Sequence, residues 1–236
     1  MSKNPDDIEV ELKLALPEDQ LESVFLSLKD KAGKKGICDK HRPRDYYDTV
    51  SLKLLSKRVA LRVQLKEGRG YEQTIKYAPS GQEEIRDGIL ARMEWKDWVT
   101  ENKPDIGIIG NEEAKALFTD IKQKRLFHVF TADVKRRYFV IDVEMPGGQQ
   151  AKVELAFDKG HVKLAPPYKG KETVCEIEIE MKQGSDQAID VVKEMILKMA
   201  PQACVSTRSK AQMGYSLYEE ALKKQVKKFE RVRFRP

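Results

Sequence analysis

The sequence predicts an α+β domain built on an antiparallel sheet of about eight strands. Three observations carry that expectation. Charged and apolar residues alternate in several stretches, most plainly in IEVELKL (8–14) and VCEIEIEMK (174–182), and a period of two is the strand period. Turn signals rich in glycine separate those stretches. Helical stripes are few and lie between and after the strands, as in α+β domains.

In chain order, the first strand puts Ile8, Val10, Leu12 and Leu14 on one face and Glu9, Glu11 and Lys13 on the other. A helix over 17–32 opens at Pro17, a residue suited to a first turn, with Leu21, Val24, Phe25 and Leu28 on one stripe. RVALRVQLK (58–66) gathers Arg58, Arg62, Gln64 and Lys66, YEQTIKY (71–77) gathers Glu72, Thr74 and Lys76, and ARMEWKDW (91–98) gathers Arg92, Glu94, Lys96 and Trp98. Asn111 caps a helix expected to reach about Leu126, with Glu112 and Glu113 in its first turn. DVKRRYFVIDVE (133–144), AKVELAFD (151–158), a short HVKLA (161–165) and VCEIEIEMK complete the strands. Turns are expected at Glu67-Gly68-Arg69-Gly70, Pro79-Ser80-Gly81, Pro146-Gly147-Gly148 and Lys159-Gly160, and Asp158 reads equally as a turn residue or a ligand. Ser185 opens a helix whose Ile189, Val192, Met195, Ile196 and Met199 are spaced for burial, and a last helix starts near Ser206. No repeat or linker marks a second domain: residues 6–220 form one domain and 221–236 a basic helical tail.

Composition narrows the function. The chain has 236 residues, 40% apolar and 35% charged, enough for a substantial core. No apolar run approaches the ~20 residues that span a bilayer, and the N-terminus has no apolar signal region. Cys38, Cys175 and Cys204 form no CxxC pair, which suits a reducing cytoplasm; Cys175 and Trp95 have the parity of the packed face. The three histidines stand apart, so a histidine metal cluster or a His-centred triad is not expected. Seven Lys/Arg against one Glu in residues 221–236 account for the whole net charge of +6. The body is therefore neutral, which argues against nucleic acid as the partner.

Carboxylates on successive inward positions of one strand lie roughly 7 Å apart, and at an effective dielectric near 20 each repulsion is about 2 to 3 kcal/mol. On a solvated face that hardly matters; in an interior only matching charge makes it tolerable. The parity sets supply the match. Glu9, Glu11, Glu154, Asp158, Glu176, Glu178 and Glu180 face Lys13, Arg62, Lys66, Lys76, Arg92, Lys96, Arg136 and Lys182. That balance suggests a barrel with a charged lumen, able to hold an anion on its basic wall and hard cations on its carboxylates. On the residues alone, an open sheet stands at even odds with it. Glu94 with Lys96 can be a plain ion pair, and Lys66 and Lys182 can sit at a solvated mouth. There is no GxxxxGK[ST], HExxH or CxxC, so a phosphate would be held by side chains.

The motifs, in order, resemble a known family. ExExK at Glu9-Val10-Glu11-Leu12-Lys13 is similar to the N-terminal signature of the CYTH superfamily, the triphosphate tunnel metalloenzymes. The match continues through YYDTVSLKLLSKRVALRV, EQTIKY, ARMEW, FTADVKRRYF, KVELAFDKG, CEIEIEMKQG and STRSKAQMGYSLYE. The segment after ARMEW and the SKAQMGY stretch look most like the bacterial inorganic triphosphatases. The resemblance implies an eight-stranded antiparallel closed barrel with flanking helices. It implies hydrolysis of the terminal phosphoanhydride of inorganic triphosphate with Mg²⁺ or Mn²⁺. By motif, Glu9, Glu11 and Lys13 would be catalytic. Lys13, Arg62, Lys76, Arg92, Arg136 and Lys210 would bind substrate, and Glu9, Glu11, Glu154, Glu176 and Glu178 the metal. Gln64 stands where the family often has a second arginine after Arg62, and Met213 where it often has arginine before Gly-Tyr. The adjacent Arg136 and Arg137 leave the inward one to parity, which favours Arg136. A class IV adenylyl cyclase, a thiamine triphosphatase and a non-catalytic polyphosphate-binding module are the alternatives. The expected partner is a triphosphate-containing small molecule in the cytoplasm, not a membrane or nucleic acid, with a homodimer left open.

Overall fold

The computed structural model describes residues 8–34, 36–79, 84–145 and 147–233. The turn signals at Ser80-Gly81 and Pro146, and the ends of the expected domain and tail at residues 6–7 and 234–236, lie outside them.

Eight strands pair antiparallel and close on themselves. They are β1 (Ile8–Ala15), β3 (Arg44–Asp48), β4 (Val59–Lys66), β5 (Gly70–Tyr77), β7 (Ile89–Val99), β8 (Phe127–Glu144), β9 (Gln150–Leu164) and β10 (Lys171–Gln183). The order is β1-β10-β9-β8-β3-β4-β5-β7, and β7 returns to β1. Ring closure therefore falls on β1, which sets Glu11 opposite Glu180 on one side and Glu9 opposite Arg92 on the other. Short strands flank the ring: β2 (Cys38–His41) on β8, β6 (Glu84–Arg86) on β7, and β11 (Cys204–Val205) on β1.

The expected number of strands is right and its membership is not. HVKLA is no separate strand: β9 runs unbroken from Gln150 to Leu164, through the expected turn at Lys159-Gly160. Gly160 serves a close approach instead, since a Cβ there would strike the backbone oxygen of Asp133 on β8. The eighth member is β3, whose five residues are too short to show a period, and whose inward Tyr46 and outward Tyr47 are equally buried.

Helices cover the ring. Helix α1 (Glu18–Leu28) and helix α4 (Gln187–Met199) lay Leu21, Val24, Phe25, Leu28, Ile189, Val192 and Ile196 on the outer faces of β1, β8, β9 and β10. The helix expected over 17–32 gives way to a 3-10 turn at Lys29–Lys31, and Met199 is exposed rather than buried. Helix α2 (Lys53–Ser56) is held by Asp48, whose carboxylate accepts the backbone N–H groups of Thr49, Leu54 and Leu55. Asn111 caps α3 (Glu112–Ala116) through the N–H groups of Glu113 and Ala114, but the helix ends ten residues earlier than expected. Its last turn tightens to i−3 bonds, Asp120 is drawn to Lys53 and Lys57, and Phe118 and Ile121 turn into the apolar cluster over β4, β5 and β7, where Trp95 also lies.

Helix α5 (Lys210–Arg233) starts at a capping box and runs on past residue 220. The Ser209 hydroxyl accepts the Gln212 N–H and the Gln212 side chain accepts the Ser209 N–H. Met213, Tyr215 and Tyr218 pack on Phe130, Ala132, Val134, Val162 and Val174. Phe130, Ala132 and Val134 share the face of Arg136, so α5 covers the inner surface at one end of the ring. Among the described residues, no helix is long and apolar enough to cross a membrane.

Candidate active site

Strand parity fills the middle of the ring with charge. The outward apolar residues of these strands go into the clusters under α1, α4 and α3, which turns the charged residues at the alternate positions inward. They enclose a cavity of about 280 Å³. All six cations expected to bind substrate line it: Lys13, Arg62, Lys76, Arg92, Arg136 and Lys210. Arg44 and Arg58 add two more, against the carboxylates Glu9, Glu11 and Glu178. Eight cations line the cavity against three carboxylates, and Asp158, Glu176 and Glu94, which the same cations hold, bring the excess to two positive charges.

Each lining carboxylate is held by a cation. Arg136 donates two bonds of 2.6 Å to Asp158, the bidentate fork that a guanidinium makes with a carboxylate, and a third bond to Glu178. Lys210 reaches Asp158 at 2.6 Å, Glu178 at 2.9 Å, and Glu176. Lys13 and Arg92 both hold Glu11, and Lys76 holds Glu9 and, at 2.7 Å, Glu94. The titration directions follow from that company. Burial pushes the carboxyl of Glu178 up, but Arg136, Lys210 and Lys13 outweigh it and hold the group well below the usual range. Burial wins at Glu176, whose carboxyl is raised despite Lys210. Burial likewise lowers the Lys13 ammonium, although Glu178 and Glu176 oppose it.

Such a set of buried charges is a poor way to stabilise a fold, because desolvation consumes most of the Coulomb gain. It is a good way to prepare a wall for a polyanion and a metal, which need cations and carboxylates side by side. The CYTH domain family model matches residues 7–215, all eight ring strands and the start of α5.

The chain belongs to the CYTH domain family. Solved structures agree on the fold. A Bacillus halodurans protein described as a candidate adenylate cyclase superposes with a TM-score of 0.52 at 20% identity, over 88% of this chain and 97% of that one. A Hippeastrum protein, described as a candidate adenylyl cyclase with a dominant triphosphatase activity, superposes with a TM-score of 0.56 at 17% identity, over 88% and 95%. No curated protein matches the chain in sequence.

Within the CYTH ring, the expected metal carboxylates divide. Oxygens of Asp158, Glu176 and Glu178 lie within 4.8 Å of one another, and Glu9 and Glu11 stand on the adjoining β1. These donors are all oxygens, which fits a hard divalent cation. Glu154 is not gathered with them: it lies opposite Glu180 on β10, 3.8 Å from Lys182, and does not line the cavity. Asp158 is no turn residue but a fully buried inward member of β9. Of the two adjacent arginines, Arg136 is inward; Arg137 lies outside, 3.6 Å over the ring of Phe25 and bonded to Glu22. Glu94 and Lys96 do pair, at 2.6 Å, but Glu94 also pairs with Lys76, so it belongs to the charged interior. Sequence reasoning passed over Arg44, which precedes the YYDTV motif; its signal is the alternation Arg44, Tyr46, Asp48 in RDYYD.

Proposed function

We propose that this CYTH chain hydrolyses the terminal phosphoanhydride of inorganic triphosphate with Mg²⁺ or Mn²⁺. The observation that carries the reading is the convergence of eight cations on a cavity of about 280 Å³ that also presents carboxylates. Such a wall suits a small, highly charged anion better than a neutral ligand. Lys13, Arg62, Lys76, Arg92, Arg136 and Lys210 bind the phosphoryl oxygens and stabilise the charge that grows on the leaving pyrophosphate. Glu9 and Glu11 on β1, with Glu176 and Glu178 on β10, hold the metal. A bound divalent ion supplies Lewis-acid polarisation of phosphoryl oxygen and lowers the pKa of water. Water oxygen bonds to the terminal phosphorus, the anhydride P–O bond breaks, and orthophosphate and pyrophosphate leave.

A second reading rests on the apolar residues Leu55, Ala60 and Ala211, which line the cavity and belong to the cluster packed on α5. They can accept an organic group attached to the triphosphate, as in ATP or thiamine triphosphate. One assay separates these. Phosphate release is measured from inorganic triphosphate, ATP and thiamine triphosphate with Mg²⁺ and with Mn²⁺, alongside cyclic AMP formation from ATP. We expect fastest release from inorganic triphosphate, loss of activity in excess chelator, and recovery with either ion. Ca²⁺ should support little turnover, since it tolerates looser geometry. Cyclic AMP as the main product would establish the cyclase reading, and tight binding without turnover would leave a polyphosphate-binding module.

A further inference from the structure

We propose that Arg44 is a substrate-binding residue of the ring interior, taking a phosphoryl oxygen of the polyanion on its guanidinium. The inference rests on the triphosphate reading above, and it names a contact outside the motifs that led there. Three features point to it. Arg44 lines the cavity and is only 3% exposed, so it is committed to the interior rather than to solvent. Its Nε has no hydrogen-bond partner, and among the described residues no carboxylate lies within ion-pair reach of it. Arg62, whose Nε is also unpartnered, shares this trait, whereas Arg136, Lys210, Lys13, Lys76 and Arg92 each hold a carboxylate.

Its surroundings make the position worse for a cation without an anion. Burial first, then Arg136 and Arg62, pull the Arg44 guanidinium down to about 10. Asp158, which favours the charged form, is already held by Arg136 and Lys210. A buried, unpaired charge is costly, and a purely structural arginine would have a partner. The neighbouring strand shows what Arg44 faces. Asp45 lies opposite Val63 and Tyr46 opposite Arg62, so the ladder carries Arg44 next to Gln64, an uncharged side chain on the inward face of β4. Arg44 therefore completes a positive strip with Arg62 and Arg136, spread over β3, β4 and β8.

The test compares the parent with Arg44→Met and Arg44→Lys by thermal unfolding and calorimetric titration, with and without tripolyphosphate and Mg²⁺. Arg44→Met should unfold at the parent temperature or above it in buffer alone, because an unpaired buried charge has been removed. Its affinity for tripolyphosphate should fall roughly 10- to 100-fold, the range for a lost charge-assisted contact. Arg44→Lys should fall between, and KM should rise more than kcat falls. Parent-like affinity in Arg44→Met overturns the assignment, as does an Arg44→Met protein clearly less stable than the parent in buffer, since that marks a structural role. If the parent itself neither binds tripolyphosphate nor is stabilised by it, the triphosphate reading fails and this inference with it.

Discussion

Arg136 and Arg137 are consecutive, identical in chemistry and opposite in fate. One bridges Asp158 and Glu178 inside the ring; the other lies on Phe25 outside it. Arg136→Ala leaves two buried carboxylates short of a partner, which should cost about 3 to 5 kcal/mol of stability, and should lower kcat/KM by at least roughly 10-fold. Arg137→Ala loses a contact with Glu22, which is half-exposed, and a cation–π contact, worth together about 1 kcal/mol, and should leave turnover unchanged. Steady-state kinetics with urea unfolding on both variants checks this; equal effects on turnover would contradict the inward assignment of Arg136. Parity alone chose between the two, because β8 is long and regular enough to keep count. Asp158 was harder to read: Asp-Lys-Gly has the composition of a turn, and only pairing with β8 and β10 keeps the strand extended through it. Arg44 was harder still, on a strand of five residues where inward and outward positions both carry tyrosine.

Among the elements, α5 shows most clearly how a packing detail controls the site. Its capping box fixes where the helix starts, and so places Lys210 in the first turn, on Asp158, Glu176 and Glu178. One turn later Gly214 lies against the buried ring of Phe130, which is sandwiched between Tyr46 and Tyr215. Glycine to alanine in a helix ordinarily gains up to about 1 kcal/mol. Here the added Cβ would enter the Phe130 ring, so Gly214→Ala should instead destabilise by roughly 1 to 3 kcal/mol. It should also reduce kcat/KM by lifting Lys210 from its carboxylates. Calorimetric unfolding with kinetics decides, and a more stable Gly214→Ala protein would show that α5 does not depend on this approach. The stripes of α1 and α4 were visible in the sequence, because a 3.6-residue period survives over several turns, whereas α5 was expected from near Ser206 and starts at Lys210. Helix α3 was over-extended, since the apolar Phe118 and Ile121 that continue its pattern are used by an irregular chain packed into the same cluster.

At the scale of the molecule, the charged interior was legible from the residues, and closure stood at even odds on them and followed only from the family resemblance. The balance of inward charges could be counted strand by strand, whereas the partners of β1 and the place of β3 are long-range facts that no local period records. The self-paired wall has a thermodynamic result. A polyanion must draw cations away from Glu9, Glu11 and Glu178, and a metal must draw the same carboxylates from their cations. Each ligand frees the groups the other needs. Tripolyphosphate should therefore bind at least about 10-fold more tightly with Mg²⁺ or Mn²⁺ than in chelator, and the metal should gain by the same factor from tripolyphosphate. Calorimetric titrations in both orders measure this, and independent affinities would contradict it. The position of β1 in the ring also bears on how the protein is made. It is the first of the eight ring strands in chain order, yet its two ring partners are Ile89–Val99 and Lys171–Gln183. At about 5 to 20 residues per second, the last of that pairing waits roughly 10 to 30 s after β1 is made. Through that interval a growing chain exposes the edge of an unfinished sheet, the surface most prone to sticking to another chain. Charge on an exposed edge opposes pairing with another chain, so Glu9, Glu11 and Lys13, which line the finished cavity, also suit a strand that must wait.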